Sequence, residues 1–88
     1  MADAVFPLID THANVVQFRR QGHWEEWGIA NPHELLRTLS RAVDRPRFDA
    51  ETQQLLIRTA ARGARGGRLR VFSLAKFPSP ASLASVGS

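Results

Sequence analysis

Cysteine is absent from this 88-residue chain, which excludes a disulfide framework and a thiolate zinc site. A secreted mini-protein of this length ordinarily depends on such staples, so the expected setting is the cytoplasm. No run approaches the roughly 18 apolar residues that a membrane span requires, and Met1-Ala2-Asp3-Ala4 lacks the basic start of a signal peptide. Lysine occurs once against eleven arginines, a bias that a GC-rich bacterial or phage genome also produces. Acidic residues stop at Glu51. Up to that point six Arg face eight Asp and Glu, and beyond it five Arg and one Lys face none. A net charge of +4 distributed in this way points to a polyanion or an acidic protein surface as partner.

Chemistry-bearing motifs are also missing. His33-Glu34-Leu35-Leu36-Arg37 starts like the zinc-protease helix motif, but Arg37 stands where the second histidine is needed. Leu8-Ile9-Asp10-Thr11-His12 begins like a metal-binding strand of amidohydrolases, yet position 14 is Asn rather than His. His12, His23 and His33 are scattered. The glycines at 63, 66 and 67 lack the lysine and Ser/Thr of a phosphate loop. No catalytic residue, metal site or cofactor is therefore assigned, and the chain is expected not to be an enzyme.

What is present predicts a small α+β domain over residues 1–77, followed by a flexible Ser/Ala/Pro tail at 78–88. Val15, Val16 and Phe18 are β-branched or aromatic, and Arg20-Gln21-Gly22-His23 suits a turn, which favours an N-terminal β-hairpin. The competing reading is a helix from Thr11 to Gln21 ended by Gly22, with Trp24 and Trp27 one turn apart in a second helix. Asn31, Pro32 and Glu34 are a capped helix start. From there Leu35, Leu36, Leu39, Ala42 and Val43 keep helical period until Asp44-Arg45-Pro46. A second helix is expected from Asp49 to Arg62, with Leu55, Leu56, Thr59 and Ala60 as its stripe and Gly63 at its end. The two would form an antiparallel helical hairpin across 32–62, and residues 68–75 a C-terminal strand joining the sheet. The expected core is Val16, Phe18, Trp27, Ile29, Leu35, Leu36, Leu39, Val43, Leu55, Leu56, Leu69 and Val71.

The candidate binding site is the basic segment that follows the acidic residues: Arg58, Arg62, Arg65, Arg68, Arg70 and Lys76. Guanidinium forks beside flexible glycine backbone reach phosphates and carboxylates alike. Helix, basic glycine turn and strand resemble in outline the last helix and wing of a winged-helix protein, although no recognition-helix residue can be assigned. The expected function is a non-enzymatic binding module of bacterial or phage type, engaging nucleic acid or a nucleoprotein. The alternative is a protein-binding inhibitor or adaptor, for example a phage counter-defence protein such as an anti-CRISPR, docked on an acidic protein surface. Trp24 and Trp27 are core candidates and also partner-contact candidates. A homodimer is a further expectation, because a core this small gains from association.

Overall fold

The computed structural model describes residues 2–60, 63 and 67–76. Among these residues lie eight strands and one short helix: β1 (Ala2–Ala4), β2 (Leu8–Asp10), β3 (Val15–Arg20), β4 (His23–Gly28), α1 (Pro32–Leu39), β5 (Arg47–Asp49), β6 (Gln54–Thr59), β7 (Arg68–Ser73) and β8 (Ala75–Lys76). Every strand pairing is antiparallel, in two sheets of order β1-β5-β6-β7 and β2-β3-β4-β8. No strand belongs to both sheets, but the edge strands of one run on into the edge strands of the other. The chain bends between β1 and β2 at Val5-Phe6-Pro7 and between β7 and β8 at Leu74, so one continuous segment serves each sheet in turn. Strands that switch sheets are the usual way to turn the corners of an orthogonal sandwich or small barrel. Among the described residues the ring is joined between β4 and β8 only at Trp27↔Lys76 and Gly28↔Ala75.

The α+β expectation is thereby corrected to a mostly β fold. No helix spans Asp49–Arg62: Asp49 ends β5, residues 50–53 turn, and 54–59 are strand. The reason lies in the period. Leu55, Ile57 and Thr59 are buried while Leu56 and Arg58 between them face outward, a two-residue alternation that the helical stripe passed over by omitting Ile57. Asp49 does act as a local acceptor, but its Oδ1 takes the Glu51 N–H at 3.0 Å to close a turn rather than to cap a helix. Gln53, at φ 57°, completes that turn, and its carbonyl accepts from the Leu74 N–H at 2.8 Å.

α1 starts where Asn31 caps it, with Oδ1 accepting the Glu34 N–H at 3.1 Å, and stops at Leu39, sooner than its apolar period predicts. Beyond Ser40 the backbone turns to strand pairing. Ala42 bridges Thr59, and the Val43 N–H donates to the Arg58 carbonyl at 2.9 Å. The helix packs against β2 and β6. Residues 15–20 and 23–28 form a hairpin across Gln21 and Gly22, both at positive φ. This is the pairing of signs that a two-residue hairpin turn demands. The predicted tail at 78–88 lies outside the described residues.

The core sits between the sheets around Phe48, which is fully buried with Phe18 and Trp27 at ring-centroid distances of 4.9 Å each. Val16, Ile29, Leu35, Leu55, Val5, Ile57 and Leu74 complete it. Of the expected core, Leu36, Val43, Leu69 and Val71 are instead largely exposed, and Leu39 and Leu56 are half-buried. Phe48, Val5, Val15, Ile57 and Leu74 are buried in addition to the residues expected.

Candidate functional site

Strand alternation divides the basic segment. In antiparallel pairs, residues directly opposite share a face. Leu55↔Phe72, Ile57↔Arg70 and Thr59↔Arg68 therefore turn toward the inside of the sheet, and Leu56↔Val71 and Arg58↔Leu69 toward solvent. Arg58 consequently projects from the opposite face to Arg68 and Arg70. Lys76 stands beyond the Leu74 bend, paired with Trp27. Arg62 and Arg65 lie outside the described residues. The winged-helix outline does not hold, since a strand, not a helix, precedes the glycine loop.

Arg70 is already engaged. Its Nη2 donates to Glu34 Oε1 of α1 at 3.1 Å, Glu34 Oε2 accepts from Arg37 at 2.6 Å, and the Arg70 guanidinium lies 5.6 Å from the Phe72 ring centroid. Two cations on one carboxylate hold the Glu34 carboxyl below its ordinary value, Arg37 more than Arg70. Arg68 is exposed, with no ion-pair partner among the described residues.

A different grouping emerges on the outer face. β5 continues the Leu56–Val71 row through Arg47, and the strand-like backbone at Val43 continues the Arg58–Leu69 row. Two adjacent rows result, Arg47–Leu56–Val71 and Val43–Arg58–Leu69, in which arginine and aliphatic side chains alternate. Val43, Leu69 and Val71 are 57%, 47% and 47% exposed, far more than a core role permits. A hollow of about 220 Å³ lies among Asp44, Arg45, Arg47, Leu56, Arg58 and Leu69. At its margin the Arg45 guanidinium lies 4.4 Å from the centroid of the exposed Phe6 ring.

The chain matches no family model, no curated protein and no solved structure. The site is therefore read from its own geometry. In the sequence Val43 and Leu56 fit helical stripes, and Arg45 and Arg47 fit the connection between them. The signal that finds them is their pairing partners across β6, which a linear reading cannot supply.

Another concave region, about 460 Å³, is lined by Arg20, Glu25, Glu26, Trp27, Gln53 and Lys76, among others. Its charges are largely satisfied within the fold. Arg20 donates to Glu25 at 2.9 Å and to Asp3 at 3.4 Å, the Trp27 indole N–H donates to Glu25 at 3.0 Å, and Glu26 accepts from Gln17 at 2.9 Å. The Glu25 hydrogen bond, before the Asp3 contact, raises the Arg20 guanidinium pKa further. This cluster ties β1, β3 and β4 together at one end of the sandwich and is structural in character.

The tryptophans separate. Trp27 is buried against Phe48, whereas Trp24 is 62% exposed on the outer face of β4 opposite Arg19. His12 and His23 lie just before and just after β3, one at each end of the strand. Among the described residues no three His, Asp or Glu side chains converge on a metal-sized site. Among them too, no helix is long and apolar enough to cross a membrane.

Proposed function

We propose that the protein is a non-enzymatic binding module of bacterial or phage type, working in the cytoplasm, that docks on an acidic protein surface as an inhibitor or adaptor. The observation that carries this reading is the outer face of β5, β6 and β7, where aliphatic and arginine side chains alternate. Protein interfaces combine an apolar centre with arginines that contribute contact area as well as charge. Phosphate tracking asks instead for many cations on one surface. Here Arg58 and the Arg68–Arg70 pair face opposite ways, Glu34 shares Arg70, Lys76 lies on the other sheet, and the arginines gathered on the outer face, Arg45, Arg47 and Arg58, are interleaved with Leu56, Leu69 and the acidic Asp44. That distribution favours a protein partner over free nucleic acid.

The test is capture from nuclease-treated host lysate with the parent chain, with Leu69→Ser/Val71→Ser and with Arg47→Glu/Arg58→Glu, followed by calorimetry on the purified partner. One protein retained by the parent and lost by both variants is expected, with random oligonucleotides failing to shift at about 0.15 M salt. Capture that disappears on nuclease treatment, or that both folded variants retain, overturns the reading.

A further inference from the structure

The outer arginine-aliphatic face ends at an unpaired strand edge. Among the described residues β7 pairs with β6 along its whole length and with nothing on its other side, because β4 meets the chain only at Ala75 and Lys76. The orientation of its backbone follows from two hydrogen bonds. The Leu74 N–H points to Gln53 just before β6, so by alternation the even-numbered residues of β7 direct their backbone groups to β6. The Arg58 carbonyl points the opposite way, to Val43, which leaves the odd-numbered residues of β6 facing β7, the ones that pair with Arg68, Arg70 and Phe72. Both routes agree. Leu69 and Val71 therefore turn their backbone N–H and C=O groups toward the open edge, with no described hydrogen-bond partner there. Their side chains lie on the outer face, and Arg68 and Arg70 lie on the inner one.

We propose that β7 receives an extended acidic segment of a partner protein as an added antiparallel strand. The proposal rests on the protein-binding reading above and specifies its mode and chemistry. Main-chain bonds to Leu69 and Val71 hold the segment, and the side chains flanking that edge select it. Residues opposite Leu69 and Val71 share the outer face and are aliphatic. The residue opposite Arg68 shares the inner face and is acidic, since opposite charges across a strand pair stabilise and like charges do not, whereas Arg70 on that face is already paired with Glu34. Self-pairing of β7 centred on Leu69 or on Arg70 sets arginine against arginine, which the same rule disfavours. Charged residues along an edge are a common guard against self-pairing.

The alternation makes a test that needs no variant. In the added strand the valine amides facing β7 are the ones that bond, and the glutamate amides point away. The probe is an acetylated, amidated peptide of alternating valine and glutamate, titrated into the ¹⁵N-labelled full chain, beside twins N-methylated on valine only or on glutamate only. The parent peptide and the glutamate-methylated twin are expected to shift the Leu69 and Val71 amides, and the valine-methylated twin to bind at least about tenfold more weakly. Replacing glutamate by lysine, or introducing Arg68→Glu in the protein, should weaken binding at least as much. Equal affinity of the two methylated twins, a preference for the lysine peptide, or no binding by about 1 mM overturns strand addition. If Leu69→Ser/Val71→Ser abolishes partner capture while the methylated twins bind alike, the outer face stands and the strand mode falls.

Discussion

Truncating Phe48 and truncating Leu36 distinguish the sheet sandwich from a two-helix domain, because the two architectures assign these residues opposite roles. Phe48 is fully buried, with Phe18 and Trp27 at 4.9 Å and the Arg20 guanidinium 5.5 Å from its centroid. Removing such a ring costs about 3–5 kcal/mol, part of it the tilted aromatic contacts. A domain of this length holds about 4–13 kcal/mol in total, so Phe48→Ala consumes a large share. At about 4–8 °C per kcal/mol its midpoint should fall by at least about 12 °C, or the transition should vanish. Leu36, at 43% exposure, loses about half of a leucine's burial and gains a better helix former, for a net cost of about 1 kcal/mol or less. Thermal and urea melts by circular dichroism read both, with Phe48→Leu expected to recover more than half of the Phe48→Ala loss. If Leu36→Ala melts lower than Phe48→Ala, the packing argument is wrong.

Three further outcomes follow from individual contacts. Glu34→Gln should flatten the acid limb of the stability profile: the Glu34 carboxyl is depressed by Arg37 and Arg70, so its contribution is present above the ordinary glutamate value and is lost as pH falls through the folded one. Urea midpoints of parent and variant across that range check it, and parallel curves refute it. Gly67→Ala should cost at least about 1–2 kcal/mol, because Gly67 sits at φ 80° and an added Cβ collides with the Thr59 carbonyl; an unchanged melt refutes the strain. Arg20→Lys should destabilise nearly as much as Arg20→Met, since a single ammonium cannot reproduce the fork that spans Glu25 and Asp3. Restoration to parent stability by lysine refutes the fork's role.

The legible parts of the fold were those with local punctuation. Asn31-Pro32 with Glu34 marks a helix start through chemistry contained in four residues, and Gln21-Gly22 marks a hairpin turn through its backbone sign. Strand β6 was not legible in the same way. Leu55, Leu56, Thr59 and Ala60 satisfy a helical stripe, and the deciding fact, that Ile57 is buried while Leu56 and Arg58 face out, depends on β5 and β7 lying alongside. The short length of α1 was hidden for a related reason: Ala42 and Val43 keep helical period, but Thr59 and Arg58 recruit their backbone. The basic segment was visible as a charge run. Its division between two faces, and the addition of Arg45, Arg47 and Val43 to the outer one, depends on cross-strand register. Trp24 and Trp27 show the same limit, three residues apart yet on opposite faces of β4.

The strands that switch sheets also set the order in which the chain can fold. The β3–β4 and β5–β6 hairpins join residues close in sequence, and β6–β7 closes a modest loop. β1 must find β5 more than forty residues on, and β8 must return to β4 across a similar span. Loop-closure entropy is met before those long-range pairings reward it, so they are expected to form late and to limit the rate. The β1 and β8 amides should then exchange with solvent through openings that leave both hairpins intact, and the sandwich should open first at its corners.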